Sequence, residues 1–163
     1  MNQGECWNCS GQFWNGVSRF VSLLQEKYPN KKISLVWNNL IKIGKYNEKG
    51  FPPDYIYEAE RNSFNVAKEE IKILQPSIVL FLTGPNYDSV IHDNFGALPF
   101  SKLPSNFSER ALAKGLILFI PLAFRTYHTN YFWRRDINSY FEAIIDKINM
   151  YNKDNISLWT MDE

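Results

Sequence analysis

The chain has 163 residues, enough for one domain with a continuous core, and its 45% hydrophobic and 21% charged content is globular, not that of a disordered chain. Lys and Arg number 18 against 17 Asp and Glu, a net charge of +1. That balance argues against nucleic-acid binding through a broad basic surface, because counterion release rewards a strong cationic excess. The aromatic share of 16% can fill a core or stack on flat ligands, and composition does not choose between them.

Met1 to Ser10 lacks a basic-then-apolar leader pattern, and no apolar run reaches membrane-spanning length, so a cytoplasmic address and no membrane partner are expected. Cys6 and Cys9 form a Cys-x-x-Cys. With no second Cys pair and only two His, nearby Cys and His alone cannot complete a closed four-ligand zinc site, and the two read as ordinary thiols. No metal and no cofactor are expected. One domain is expected over 1–163, with about 1–11 as a poorly defined leading segment.

Phe13, Val17, Phe20, Val21 and Leu24 recur at helical spacing, which predicts an amphipathic helix from Gln12 to Tyr28, ended by Pro29. Ile33 to Trp37 is a short, apolar, partly β-branched run and predicts a buried strand. Lys45 to Pro53 is loop. Tyr55 to Leu74 predicts a second helix, with Phe64, Ala67, Ile71 and Leu74 inward. Ile78 to Leu82 predicts a central strand, broken by Thr83-Gly84-Pro85-Asn86, after which Tyr87 to His92 starts a short helix. Asp93 to Arg110 reads as irregular. Leu116 to Ile120 and Ala123 to Tyr127 predict two strands separated by Pro121. A final helix is expected from about Asp136 to Tyr151.

Helices alternating with nearly continuous apolar strands predict a three-layer α/β/α fold with a mostly parallel central sheet. Ligands of such sheets sit beyond the carboxyl ends of the strands. Those positions hold Asn38-Asn39, Thr83-Gly84 and His128-Thr129-Asn130. A side-chain amide offers a donor and an acceptor that match a base edge, but Asn38 or Asn39 can equally cap or turn the chain. His128 can hydrogen-bond a developing oxyanion, act as acid or base, or serve the structure alone. Arg134 and Arg135 suit phosphate contacts or a solvated surface. Trp7, Phe13, Trp14, Trp37, Tyr127, Tyr131, Phe132 and Trp133 are candidate stacking rings, most of them expected in the core.

The segments Asn38-Asn39-Leu40-Ile41-Lys42, Pro76-Ser77-Ile78-Val79-Leu80-Phe81-Leu82-Thr83-Gly84 and Thr126-Tyr127-His128-Thr129-Asn130-Tyr131-Phe132-Trp133-Arg134, in this order, resemble the uracil-DNA glycosylase superfamily. The resemblance implies that fold and an activity on a flipped-out base in DNA. It assigns the reading of a pyrimidine edge to Asn39, with Asn38 beside it, and stabilisation of the anionic leaving base to His128. Thr83 and Gly84 become pocket backbone. Thr129, Asn130, Tyr131 and Arg134 fall in the loop that enters the minor groove. The family's opening Gly-Glu-x-Pro-Gly-like loop, which handles the attacking water, has no counterpart in this sequence, Thr129 stands where the family has Pro, and iron–sulfur ligands are missing. Two other readings are a non-catalytic relative that binds a nucleobase, nucleotide or nucleic acid, and an unrelated small α/β hydrolase using His128.

Overall fold

In the computed structural model, residues 11–96, 99–117, 119–134 and 136–154 are described, with side chains except those of 132–134 and 154. Helix α1 spans Gln12–Lys27 and begins where Asn15 N–H donates to Gly11 O (3.0 Å). Gly16, Val17, Phe20 and Leu24 form its buried face, the i, i+3, i+4 stripe that the spacing predicts. The Gln25 amide donates to the carbonyls of Tyr28 and Lys31, at 3.1 and 3.0 Å, and so turns the chain after the helix.

The long helix expected over Tyr55 to Leu74 is two helices, α2 (Asp54–Phe64) and α3 (Ala67–Leu74). Asn65 separates them. The Asn65 side chain donates to Asp93 O at 3.3 Å, which ties the break between α2 and α3 to α4. Gln75 closes α3 in the left-handed region (φ 44°), immediately before Pro76. Strand β1 is Ile78–Leu82, as expected. A 3₁₀ turn over Pro85–Tyr87 leads into α4 (Asp88–Phe95).

The stretch after α4, expected to be irregular, contains the short strand β2 (Phe100–Lys102). Two longer strands follow, β3 (Leu112–Ile117) and β4 (Ile120–Thr126). The chain reverses between Ile117 and Ile120, with Phe119 at φ 74°, and not at Pro121. Pro121 instead lies near the start of β4, opposite an irregularity in β3 and ahead of the first β1 pairing at Leu122, where its missing N–H costs no ladder bond. A 3₁₀ segment, Thr129–Arg134, leads to α5 (Ile137–Asp154), so Arg134 precedes the final helix.

The four described strands form one sheet in the order β1-β4-β3-β2. β1 and β4 are parallel, but β4–β3 and β3–β2 are antiparallel, so the sheet is mixed and the expectation of a mostly parallel one is corrected. The cause is the short connection after Ile117, since a tight reversal can join only antiparallel strands.

Alternate residues of the strands feed two cores. Leu122 and Phe124 face a cluster with Phe20 and Leu24 of α1 and Phe141, Ile144 and Ile148 of α5. Ala123 and Phe81 face a second cluster with Ala67 of α3 and Ile91 and Phe95 of α4. Helices therefore cover both faces of the sheet. Among the described residues, no helix is long and apolar enough to cross a membrane.

The strand expected at Ile33 to Trp37 is not formed. The segment is extended coil, and Leu35, Val36 and Trp37 are 40%, 65% and 49% exposed. Local β preference needs a ladder partner, and among the described strands β1 pairs only with β4. Side chains fix the segment instead. Ile33 packs on the α1/α5 cluster and Leu40 on the α3/α4 cluster, while the backbone amides of Lys42 and Ile43 donate to the two carboxylate oxygens of buried Glu60, at 2.6 and 2.7 Å.

Candidate functional site around His128

The parallel strands β1 and β4 end side by side, with Leu82 in register with Thr126. Two residues after Leu82 the pairing continues into the loop, where Gly84 N–H donates to Thr126 O at 2.9 Å. Thr83-Gly84 is thereby held against Tyr127-His128. Gly84 has φ 74°, in the left-handed range that favours glycine, while a Cβ there would meet the Tyr127 ring only at ordinary contact distance, 3.4 Å. The Tyr127 ring in turn lies on Tyr131, centroids 4.4 Å apart.

His128 follows directly. Asn130 N–H donates to its Nδ1 at 3.1 Å, and Tyr131 N–H donates to its backbone carbonyl at 2.8 Å. A ring nitrogen that accepts a bond carries no proton, so this geometry selects the tautomer with the proton on Nε2. His128 is an exposed residue, and the packing against part of its ring desolvates it and lowers its pKa below the ordinary value of 6.5. His128 is thus a neutral imidazole at neutral pH, with Nε2–H as its donor. Such a group can polarise a carbonyl oxygen or stabilise an oxyanion without first losing a proton.

The segment after it is docked on α1. Thr129 is 3% exposed, and its Oγ1 donates to Phe13 O at 3.2 Å. Gly16 makes the room, because a Cβ there would collide with the Thr129 side chain. The same docking brings the Phe13 ring to 5.1 Å from the His128 ring. Phe13 also meets Trp14 edge-on at 5.2 Å, and Trp37 closes the group at 5.4 Å from Trp14 and 6.2 Å from Phe13. Trp37 is half exposed, so the group has a wet edge beside the histidine.

The segment Trp37-Asn38-Asn39 therefore approaches the site through Trp37, although no strand delivers it. Asn38 faces a different way. Its amide donates to Glu70 and its oxygen accepts from Lys42, whose ammonium also pairs with Glu70 at 2.9 Å. Asn39 is exposed beside this network. Asn130 is exposed, and it enters the site through its backbone N–H, not its amide. The side chains of Phe132, Trp133 and Arg134, together with Arg135, Cys6, Trp7 and Cys9, lie outside what is described.

A second polar group sits deeper, on the α4 side of the sheet. Arg125 is 2% exposed and donates to Arg110 O at 2.7 Å. It pairs with Asp88: Arg125 Nη2 donates to Oδ2 at 3.3 Å, and Oδ1 lies 3.0 Å from Nε as an ion pair. Burial raises the Asp88 pKa above the ordinary carboxylate value, and the guanidinium opposes the rise. Arg125 also lies 5.1 Å over the Phe100 ring. These contacts lock α4 and β2 to the sheet. Among the described residues, no cluster of three or more His, Cys, Asp or Glu could hold a metal ion.

Sequence reasoning missed Gly16 and Glu60, whose roles in placing Thr129 and the Lys42 segment carry no local sequence signal. It named Phe13, Trp14 and Trp37 only among many rings, because contact between the first turn of α1 and His128 is a tertiary fact. No known family model matches the chain, nor does any curated protein or solved structure.

Proposed function

We propose that the chain binds a nucleobase at His128, as a protein of the uracil-DNA glycosylase type, with Nε2–H of the neutral imidazole donating to a base carbonyl oxygen. The observation that carries this reading is the Asn130 N–H bond to His128 Nδ1, which leaves Nε2–H as the ring's donor. Two further observations support it. The Phe13–Trp14–Trp37 group offers rings on which a flat heterocycle can stack. The histidine also sits beyond the carboxyl end of a parallel strand pair, with helices on both faces of the sheet, where α/β proteins hold ligands. Assignment to the glycosylase fold, the reading of a pyrimidine edge by Asn39 and a cytoplasmic location belong to the same proposal.

Removal of the base is the second reading. The same Nε2–H would stabilise charge developing on the base oxygen as the glycosidic bond breaks. Binding is put before removal because the geometry supplies the donor, while the described hydrogen bonds of His128, from Asn130 N–H and Tyr131 N–H, include no carboxylate.

A labelled oligonucleotide containing uracil tests both readings. Binding should be measurable with the wild type and fall by about 2- to 13-fold in His128→Ala, the net worth of one neutral hydrogen bond. Release of free uracil would establish the second reading. Failure of the wild-type protein to retain any nucleobase ligand, or equal binding by His128→Ala, would refute the first.

A further inference from the structure

We infer that the base this site accepts is already unpaired, on a single strand or as a mononucleotide, and is not drawn out of a duplex. The inference rests on the nucleobase reading and adds the substrate class. Drawing a base from a duplex needs a segment free to enter the helix in its place, and enough cations to hold the bent backbone.

The segment that follows His128 is committed elsewhere. Thr129 is buried in the notch left by Gly16 and bonded to Phe13 O, Asn130 N–H is used on His128, and Tyr131 N–H on the His128 carbonyl. The Tyr131 ring rests on Tyr127. Among the residues of this segment whose side chains are described, Thr129, Asn130 and Tyr131 are each tied back to α1, to His128 or to β4.

Two of the described cations near the ring group, Lys42 and Arg19, point the same way. The chain carries a net charge of only +1. Lys42, the Lys nearest in sequence to Trp37 on its C-terminal side, is held by Glu70 and Asn38. Arg19, on the helix that carries Phe13 and Trp14, donates to Asn138 at 2.8 Å. What the site does present is aromatic surface. Trp37 is 49% exposed at the edge of the ring group, and base–aromatic stacking is a main means by which proteins hold unpaired bases.

The test is fluorescence anisotropy with a labelled single-stranded oligonucleotide containing one uracil, competed by the unlabelled strand, by its annealed duplex and by dUMP. The single strand and dUMP should compete, and the duplex should compete at least about tenfold more weakly. Trp37→Ala should weaken the single strand by about 5- to 150-fold, the worth of one stacked base, and Trp37→Phe should restore most of that loss. Circular dichroism on both variants separates lost stacking from lost folding. If the duplex competes as well as the strand, or Trp37→Ala binds as the wild type does, the inference falls while the nucleobase reading stands. If no probe binds, both fall.

Discussion

Two five-residue runs in this protein carry almost the same local signal and meet opposite fates. Ile78-Val79-Leu80-Phe81-Leu82 is a strand, with Phe81 5% exposed in the core. Ile33-Ser34-Leu35-Val36-Trp37 is coil with three consecutive apolar side chains in water. Composition does not separate them. The first run lies against β4, whose other side is already fixed by the β3 hairpin. The second has no ladder partner among the described strands and is held by its flanks, at Ile33, Leu40 and the Glu60 carboxylate. A strand is a property of a pair, so one-dimensional patterning reports candidacy and not outcome.

The sharpest way to test this contrast is to truncate one residue in each run. Phe81→Ala should lower unfolding free energy by about 3–5 kcal/mol in urea, the cost of a large cavity in a packed core. Val36→Ala should change it by no more than about 0.5 kcal/mol, as at an exposed site. Equal losses would mean that the Ile33–Trp37 run is packed as a strand after all.

A smaller effect is expected at the clamp that replaces the ladder. Glu60→Ala should cost about 1–3 kcal/mol, because two backbone amides lose a buried carboxylate partner. Hydrogen exchange should quicken first at Lys42 and Ile43, with β1 amides unchanged. Loss of protection across β1 as well would show that the two segments open together.

The smallest effect concerns the histidine that both segments approach. Its folded pKa is depressed, so as pH falls the unfolded chain takes up the proton first, beginning near the ordinary value of 6.5. The contribution to stability is therefore full above pH 6.5 and is lost as pH falls toward the folded value. His128→Gln should remove that slope from the wild-type curve. A difference curve flat with pH would show that the ring is not desolvated. Because protonation of Nδ1 also breaks the Asn130 bond, ligand binding should weaken over the same acid range.

Much of the architecture is legible without coordinates. The bounds of α1, β1 and α5 follow from periodicity and punctuation, and the placing of Thr83-Gly84 beside His128 follows from two apolar strands that end alike. The direction of β3 was not legible, because its reversal depends on a residue such as Phe119 accepting φ 74°, which local preference argues against. The aromatic wall of the site was not legible either. It depends on a notch at Gly16 that means nothing until Thr129 enters it.

β4 joins two kinds of contact. On one side it pairs with its chain neighbour β3 through a tight turn; on the other it pairs with β1, from far earlier in the sequence. Loop-closure entropy makes the first pairing fast and the second slow. The Gly84–Thr126 bond and the seat of His128 exist only after the second is made. The competence of the site is thus tied to the latest-forming part of the fold. A kinetic experiment should see β3–β4 protected early in refolding, with Gly84 gaining protection together with the last phase.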